Sequence, residues 1–191
     1  WPAQQHMTGL CATCLKTPPF FNQVHAPYLY APPLNKLITG LKFRQQLHHA
    51  RVLGHLLLNH IKKVHSPNTA HPKPQCLVPV PLHPVRLRER GYNQALEIAR
   101  PLAKSLNIKL EKNICQRIKP TAPQTDLKLK DRKANLRHAF HINTIRHYRH
   151  IAIIDDVITT GHTVQELARS FQQAGIETIE IWAIARVKLE K

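Results

Sequence analysis

The chain has 191 residues, 42% of them apolar and 20% charged: material for one folded domain with a small appendage, and too few charges for a disordered polyelectrolyte. Lys and Arg number 28 against 11 Asp and Glu, a formal charge of +17 before any of the 14 histidines takes a proton. That balance argues against a cation-handling role and favours anionic partners, whether phosphorylated metabolites, nucleic acid or acidic lipid.

No apolar run approaches the roughly 20 residues that cross a bilayer. The start, Trp1 to His6, has no basic stretch leading into an apolar one, so a secretory leader is not expected. Four cysteines in a chain of this length do not suggest a disulfide scaffold, and a reducing, cytoplasmic setting is the expectation.

Residues 1–33 form a proline-rich N-terminal segment with little helical periodicity. Cys11 and Cys14 within it are spaced so that a tight turn aims both sulfurs at one metal, a zinc half-site. His6 and His25 are candidates to complete it; the alternative is two free thiols on a loop. Cys76 and Cys115 lie in apolar surroundings and read as small core residues. From Pro33 the pattern turns helical: Leu34, Leu37, Ile38 and Leu41, then Leu53, Leu56, Leu57, Ile61 and Val64, predict two helices broken near 43–46. Residues 66–74 are a polar linker with three prolines, so 34–74 reads as a helical segment plus linker.

Leu77 to Val80 predicts a short buried strand closed by Pro81 and Pro84, and a helix follows over 93–106. A strand near 114–118, a basic helix near 126–136 and a strand near 139–142 come next. Ile151 to Ile154 is the continuous apolar run of a strand covered on both faces. A helix over 163–174 ends at Gly175 as a left-handed cap, and 176–185 supplies a last strand. Strands alternating with helices predict an α/β domain with a mainly parallel sheet over residues 75–191.

The chemistry concentrates after Ile154. Only four aspartates occur in the chain, and Asp155 and Asp156 sit together at the carboxyl end of its most apolar strand, the edge where open α/β sheets bind ligands. Adjacent carboxylates repel, so a fold gains nothing from them unless they accept ligand hydroxyls or neighbour a divalent cation. Thr159, Thr160, Gly161, His162 and Thr163 then lead into a helix. Hydroxyls and first-turn N–H groups make a phosphate cradle, and glycine lets the backbone approach. Acids for sugar hydroxyls beside a phosphate cradle describe a ribose 5-phosphate site. The competing readings are a Thr-rich helix cap after a buried strand and a paired-acid metal site. There is no Walker A sequence and no G-x-G-x-x-G.

This segment resembles the 5-phosphoribosyl pyrophosphate (PRPP) motif of type I phosphoribosyltransferases: apolar strand, two acids, two apolar residues, Thr-Thr-Gly, any residue, Thr. Val78 to Pro84 with Arg86, Arg88 and Arg90 to Gln94, and Arg117, Thr121, Gln124, Leu127, Arg132, Asn135 and Ala139-Phe140, are similar to the ComF family of competence proteins. Leu41-Lys42-Phe43 fits that family's N-terminal helical segment. The resemblance covers residues 9–187. It implies a type I phosphoribosyltransferase fold, PRPP as ligand with Mg2+ bridging its pyrophosphate and ribose hydroxyls, and a role in DNA uptake. It also implies an N-terminal zinc ribbon, of whose two Cys-x-x-C pairs this sequence shows only Cys11 and Cys14.

In that fold Val80, Pro81 and Leu82 occupy the pyrophosphate loop, with Arg86, Arg88 and Arg90 as a diphosphate clamp; the alternative is an ordinary solvated basic face. Lys128, Lys130, Arg132, Lys133 and Arg137, followed by Arg146, His147, Arg149 and His150, carry more positive charge than one metabolite needs. They suit a polyphosphate backbone such as single-stranded DNA. A competence helicase is the protein partner the resemblance implies. Two functions are therefore expected: a PRPP-dependent glycosyl transferase, or a catalytically silent PRPP-regulated binder of single-stranded DNA.

Overall fold

The apolar runs of the sequence become the middle of one parallel sheet. The computed structural model describes residues 18–67, 69, 71–119, 138–143 and 147–188. In chain order the elements are β1 (Gln23–His25), β2 (Tyr28–Leu29), α1 (Leu34–Phe43), α2 (His48–Val64), β3 (Cys76–Pro79), α3 (Pro84–Arg90) and α4 (Gln94–Leu106). They continue with β4 (Lys109–Leu110), β5 (Cys115–Arg117), β6 (Phe140–Ile142), β7 (His150–Ile158), α5 (His162–Gln173) and β8 (Thr178–Arg186).

The main sheet has the order β1-β8-β7-β3-β4, with β2 also on β8, and every pairing is parallel. β5 and β6 pair antiparallel as a separate ribbon. Alternation along β7 and β8 splits the core into two layers. Ala152, Ile154, Trp182 and Ile184 pack with Ile38, Leu57 and Leu102 of α1, α2 and α4. Ile151, Ile153, Ile179 and Ile181 pack with Val164, Leu167 and Phe171 of α5. This is the expected α/β architecture, a sheet with helices on both faces. Where α2 meets α4 the helices approach closely: a Cβ on Gly54 would lie 2.5 Å from Pro101 Cγ and 3.0 Å from the Ile98 carbonyl oxygen.

The two N-terminal helices, β3, α4, α5 and β8 lie where the periodicity puts them. Cys76 and Cys115 are buried as expected, and burial pushes both thiols up to about 12, which leaves them unreactive. Three features differ. Pro84 opens helix α3 instead of ending a loop, because at the first helical position its missing N–H costs nothing; His83 Nδ1 caps Val85 N–H and Gly91, at φ 83°, closes the other end. β7 runs to Ile158, so Asp155 and Asp156 lie inside the strand and point to opposite faces. β1, β2 and β4 are too short for a sequence signal. The expected helix over 126–136 lies outside the described residues. The expected boundaries at 33/34 and 74/75 fall between β2 and α1 and just ahead of β3. Elements on both sides of each belong to the same sheet or its covering layer.

Candidate functional site

β3 and β7 are neighbours, but the helices that follow them cover opposite faces: α4 packs over Ala152 and Ile154, α5 over Ile151 and Ile153. Where crossovers from adjacent parallel strands part in this way, a crevice is left outside their carboxyl ends. Val80, Pro81 and Leu82 leave one strand there and Thr159 to Thr163 the other, so the two expected loops share one edge.

The acids behave differently from each other. Asp156 is 2% exposed. Its Oδ1 accepts the Val157 N–H at 2.7 Å and its Oδ2 lies 2.9 Å from Lys42 Nζ at the end of α1. Asp155 is half-buried, and its Oδ1 accepts the Asp156 N–H at 2.9 Å. The two carboxylates therefore do not stand side by side as expected: strand alternation turns Asp156 into the α1–α2 layer, while Asp155 stays half-buried on the other face. Burial, and then the charge of Asp156, push the Asp155 carboxyl up to about 7. Burial alone would lower the Lys42 ammonium, but the ion pair with Asp156 outweighs it and the ammonium rises. The two carboxylates share this lysine, and Asp155 also feels Arg117 at the end of β5.

The turn after β7 has the expected form. Thr159 and Thr160 are exposed, Gly161 takes φ 75°, and its carbonyl accepts the first helical bond, from Gln165 N–H at 2.9 Å. Gly161 as N-cap brings no side-chain oxygen to the first-turn N–H groups of α5. Thr160 Oγ1 and His162 Nδ1 are 3.0 Å apart, so His162 braces the turn from within. Thr163 is half-buried in the first turn.

On the β3 side, Val80 N–H bonds the Ile154 carbonyl at 2.9 Å, and the Val80 carbonyl accepts Asn93 Nδ2 at 3.0 Å. Asn93 Oδ1 meanwhile caps α4 through Ala95 and Leu96 N–H. One side chain thus fixes both the loop after β3 and the start of the next helix. Tyr92 Oη ties the same corner to the Leu41 carbonyl beside Lys42.

The three expected arginines do not form one clamp. Because α3 is a helix, Arg86 and Arg90 share a face, while Arg88 is exposed on the opposite side. Arg90 bonds Gln94 Oε1 at 2.6 Å and stacks over Phe43 at 5.7 Å. Arg86 instead acts on Arg117 at the end of β5, which also feels Asp155. Burial, then repulsion from Arg86, lower the Arg117 guanidinium, whose Cζ sits 5.7 Å over the Phe140 ring. Arg86 and Arg117 thus lie within electrostatic reach of one another, and Arg117 within reach of Asp155.

Lys42 and Arg117 are the site residues the motif reading missed as ligand-site groups. Both act across long sequence distances, and only their place in the family-like segments pointed to them. Cys11, Cys14, Lys128, Lys130, Arg132, Lys133 and Arg137 lie outside the described residues. Beyond that tract, His138 N–H bonds Glu166 Oε1 of α5 at 2.8 Å, and Arg149 pairs with Glu177. Among the described residues no helix is long and apolar enough to cross a membrane.

No family model matches the chain. Among curated proteins it is 36% identical to competence protein F of Haemophilus influenzae over 188 residues, 95% of this chain and 80% of that protein. It is 35% identical to DNA utilization protein YhgH of Salmonella typhi over 181 residues, 95% and 79% of the two chains. To the protein of the same name from Shigella flexneri it is 35% identical over 177 residues, 92% and 77%.

Proposed function

The chain belongs to the ComF family of competence proteins, and from that premise we propose that it serves DNA uptake or utilisation by binding PRPP at the carboxyl edge of β3 and β7. One observation carries this reading: Asp155 of β7 and Arg117, itself acted on by Arg86, meet at the strand end that leads into a hydroxyl-rich turn. In it Asp155 takes the ribose hydroxyls, and Thr159, Thr160, Gly161, His162 and Thr163 take the 5-phosphate through hydroxyls and N–H groups. Arg86 and Arg117, with the Val80-Pro81-Leu82 loop, take the pyrophosphate. Asp156 and Lys42 are positioning residues that hold the strand end and α1 together.

The half-buried Asp155 carboxylate suits a divalent ion shared with the ligand, which Asp155 would hold together with ligand oxygens. Mg2+, when bound, supplies charge neutralisation for the diphosphate. As the bond from C1 to pyrophosphate lengthens, the ribose becomes positive and the leaving group negative. Asp155 stabilises the first and the arginines the second. The acceptor of a ribosyl transfer is not specified by these groups.

Calorimetric titration of PRPP with Mg2+ tests the reading. Binding should weaken about tenfold or more in Asp155→Asn and in Arg117→Ala, since each removes a bond to a charged group worth roughly 1.5–3 kcal/mol. Equal affinity in both variants and the native chain would overturn it.

A second reading, single-stranded DNA binding, is favoured by the net charge and by an open concavity of about 390 Å³ between α2 and α4, edged by Arg51, His55, Arg100 and Lys104. Its expected mark is a steep fall in affinity between about 50 and 200 mM salt; a flat profile would exclude it. On this reading the basic tract 128–137 adds further phosphate contacts, and a competence helicase is the protein partner.

A further inference from the structure

Towards the amino end of the main sheet, four elements converge on one buried carboxylate. Glu180 of β8 is 3% exposed and lies between Ile179 and Ile181. Its Oε1 is 2.9 Å from His150 Nε2 at the start of β7. Its Oε2 is 3.2 Å from His65 Nε2, just after α2, and 3.4 Å from His25 Nε2, the last residue of β1. Trp182 Nε1–H donates to the same Oε2 at 2.6 Å.

His65 is held at both ring nitrogens. Its Nδ1 lies 3.3 Å from the His71 carbonyl, which can only accept, so Nδ1 carries the proton. With Nδ1 protonated, Nε2 meets the carboxylate oxygen across either a second proton or a metal ion. His25 Nε2 is buried, faces the same oxygen and makes no hydrogen bond of good geometry. An N–H donated to a backbone carbonyl while the other nitrogen points inward is how metal-bound histidines are held.

The spacing agrees. Zinc bonds of about 2.0–2.1 Å in tetrahedral array set ligand atoms roughly 3.3 Å apart, against 3.2 and 3.4 Å here. The three donor atoms of His25, His65 and Glu180 all lie within 4.8 Å of one another. We propose that these three side chains bind one divalent transition-metal ion, zinc by choice of imidazole and carboxylate ligands. His150 and Trp182 orient the carboxylate from outside, and a water takes the fourth position. The ion pins β1 and the end of α2 to β8. This site is separate from the proposed PRPP edge, at the opposite end of the sheet.

The test uses the full chain with Cys11→Ser and Cys14→Ser, which removes the thiolates of the N-terminal segment. After chelation and dialysis, zinc is titrated against a competing chelator and the bound metal is measured by mass spectrometry. One equivalent per chain is expected, with a melting temperature that rises on zinc addition and falls on chelation. Cobalt in its place should give visible d–d bands without a thiolate charge-transfer band. His25→Gln, at the rim of the cluster, should weaken binding about tenfold or more while the apo fold survives. His65→Gln should do the same; should it fail to fold, His25→Gln decides. No metal uptake in the double-serine chain, or uptake undiminished by His25→Gln, would overturn the site.

Discussion

Glu180 and Asp156 are both buried acids on the α1–α2 side of one sheet, 3% and 2% exposed, and the fold treats them in opposite ways. Glu180 meets three imidazoles and an indole N–H; burial would raise its carboxyl, but the donors of His150, His25, His65 and Trp182 around it hold it well below the usual range. Asp156 meets one lysine, which it shares with Asp155, and Asp155 rises. A buried acid is therefore read by its partners, imidazoles around Glu180 and a single lysine beside Asp156.

The contrast is broken most directly at Glu180. Glu180→Leu strands the imidazoles and the Trp182 N–H, and should cost about 3–5 kcal/mol in urea unfolding, the range for removing one partner of a buried charged cluster. A loss under about 1 kcal/mol would mean the cluster is incidental. The pH profile sharpens the test. The depressed Glu180 contributes stability above about 4.5 that is lost as pH falls; the raised His65 contributes below about 6.5 and loses it as pH rises through its shifted value. The amino edge is thus most stabilising between those values, and the variant should flatten that hump.

Lys42→Met comes next. It should cost about 2 kcal/mol, less than a fully buried pair because the lysine is 25% exposed. It should also drive Asp155 further up, which a carboxyl NMR titration would read. Asp155 itself gives the third test. With its carboxyl raised from 3.8 to about 7, its contribution to folding is fully present below about 4 and is lost as pH rises through 7. A ligand that needs the carboxylate has the reverse dependence, so PRPP affinity should climb about tenfold from pH 6 to pH 8. Asp155→Asn should abolish the slope. The smallest effect belongs to Arg88→Ala, which should change PRPP affinity less than about twofold, as expected of an exposed side chain away from the site. A large loss there would restore the three-arginine clamp.

The parts legible in the sequence are those with local signals. Ile151–Ile154 announces a strand covered on both faces, Asn93 a helix cap, and Thr159–Thr163 a turn into α5. Pro84 misleads because proline both ends helices and begins them, and the Arg86/Arg88/Arg90 alternation looks like a clamp until helical geometry turns Arg88 away. The Lys42–Asp156 pair joins residues far apart in the chain, and no periodicity encodes it. Glu180 did carry a signal: a lone acid amid the apolar residues of a last strand must have partners, and 14 histidines were the obvious supply.

The register of β1 and β2 on β8 joins residues 23–29 to 180–186, and this imposes an order of events at birth. At about 5–20 residues per second, the ribosome releases the first strand roughly 8–30 s before its neighbour exists. Until then the nascent chain must hold that ribbon unmated, and the outer rim of the sheet closes only once β8 has been made. His25 reaches Glu180 at that moment and no earlier, so the histidine cluster records that the last strand has arrived.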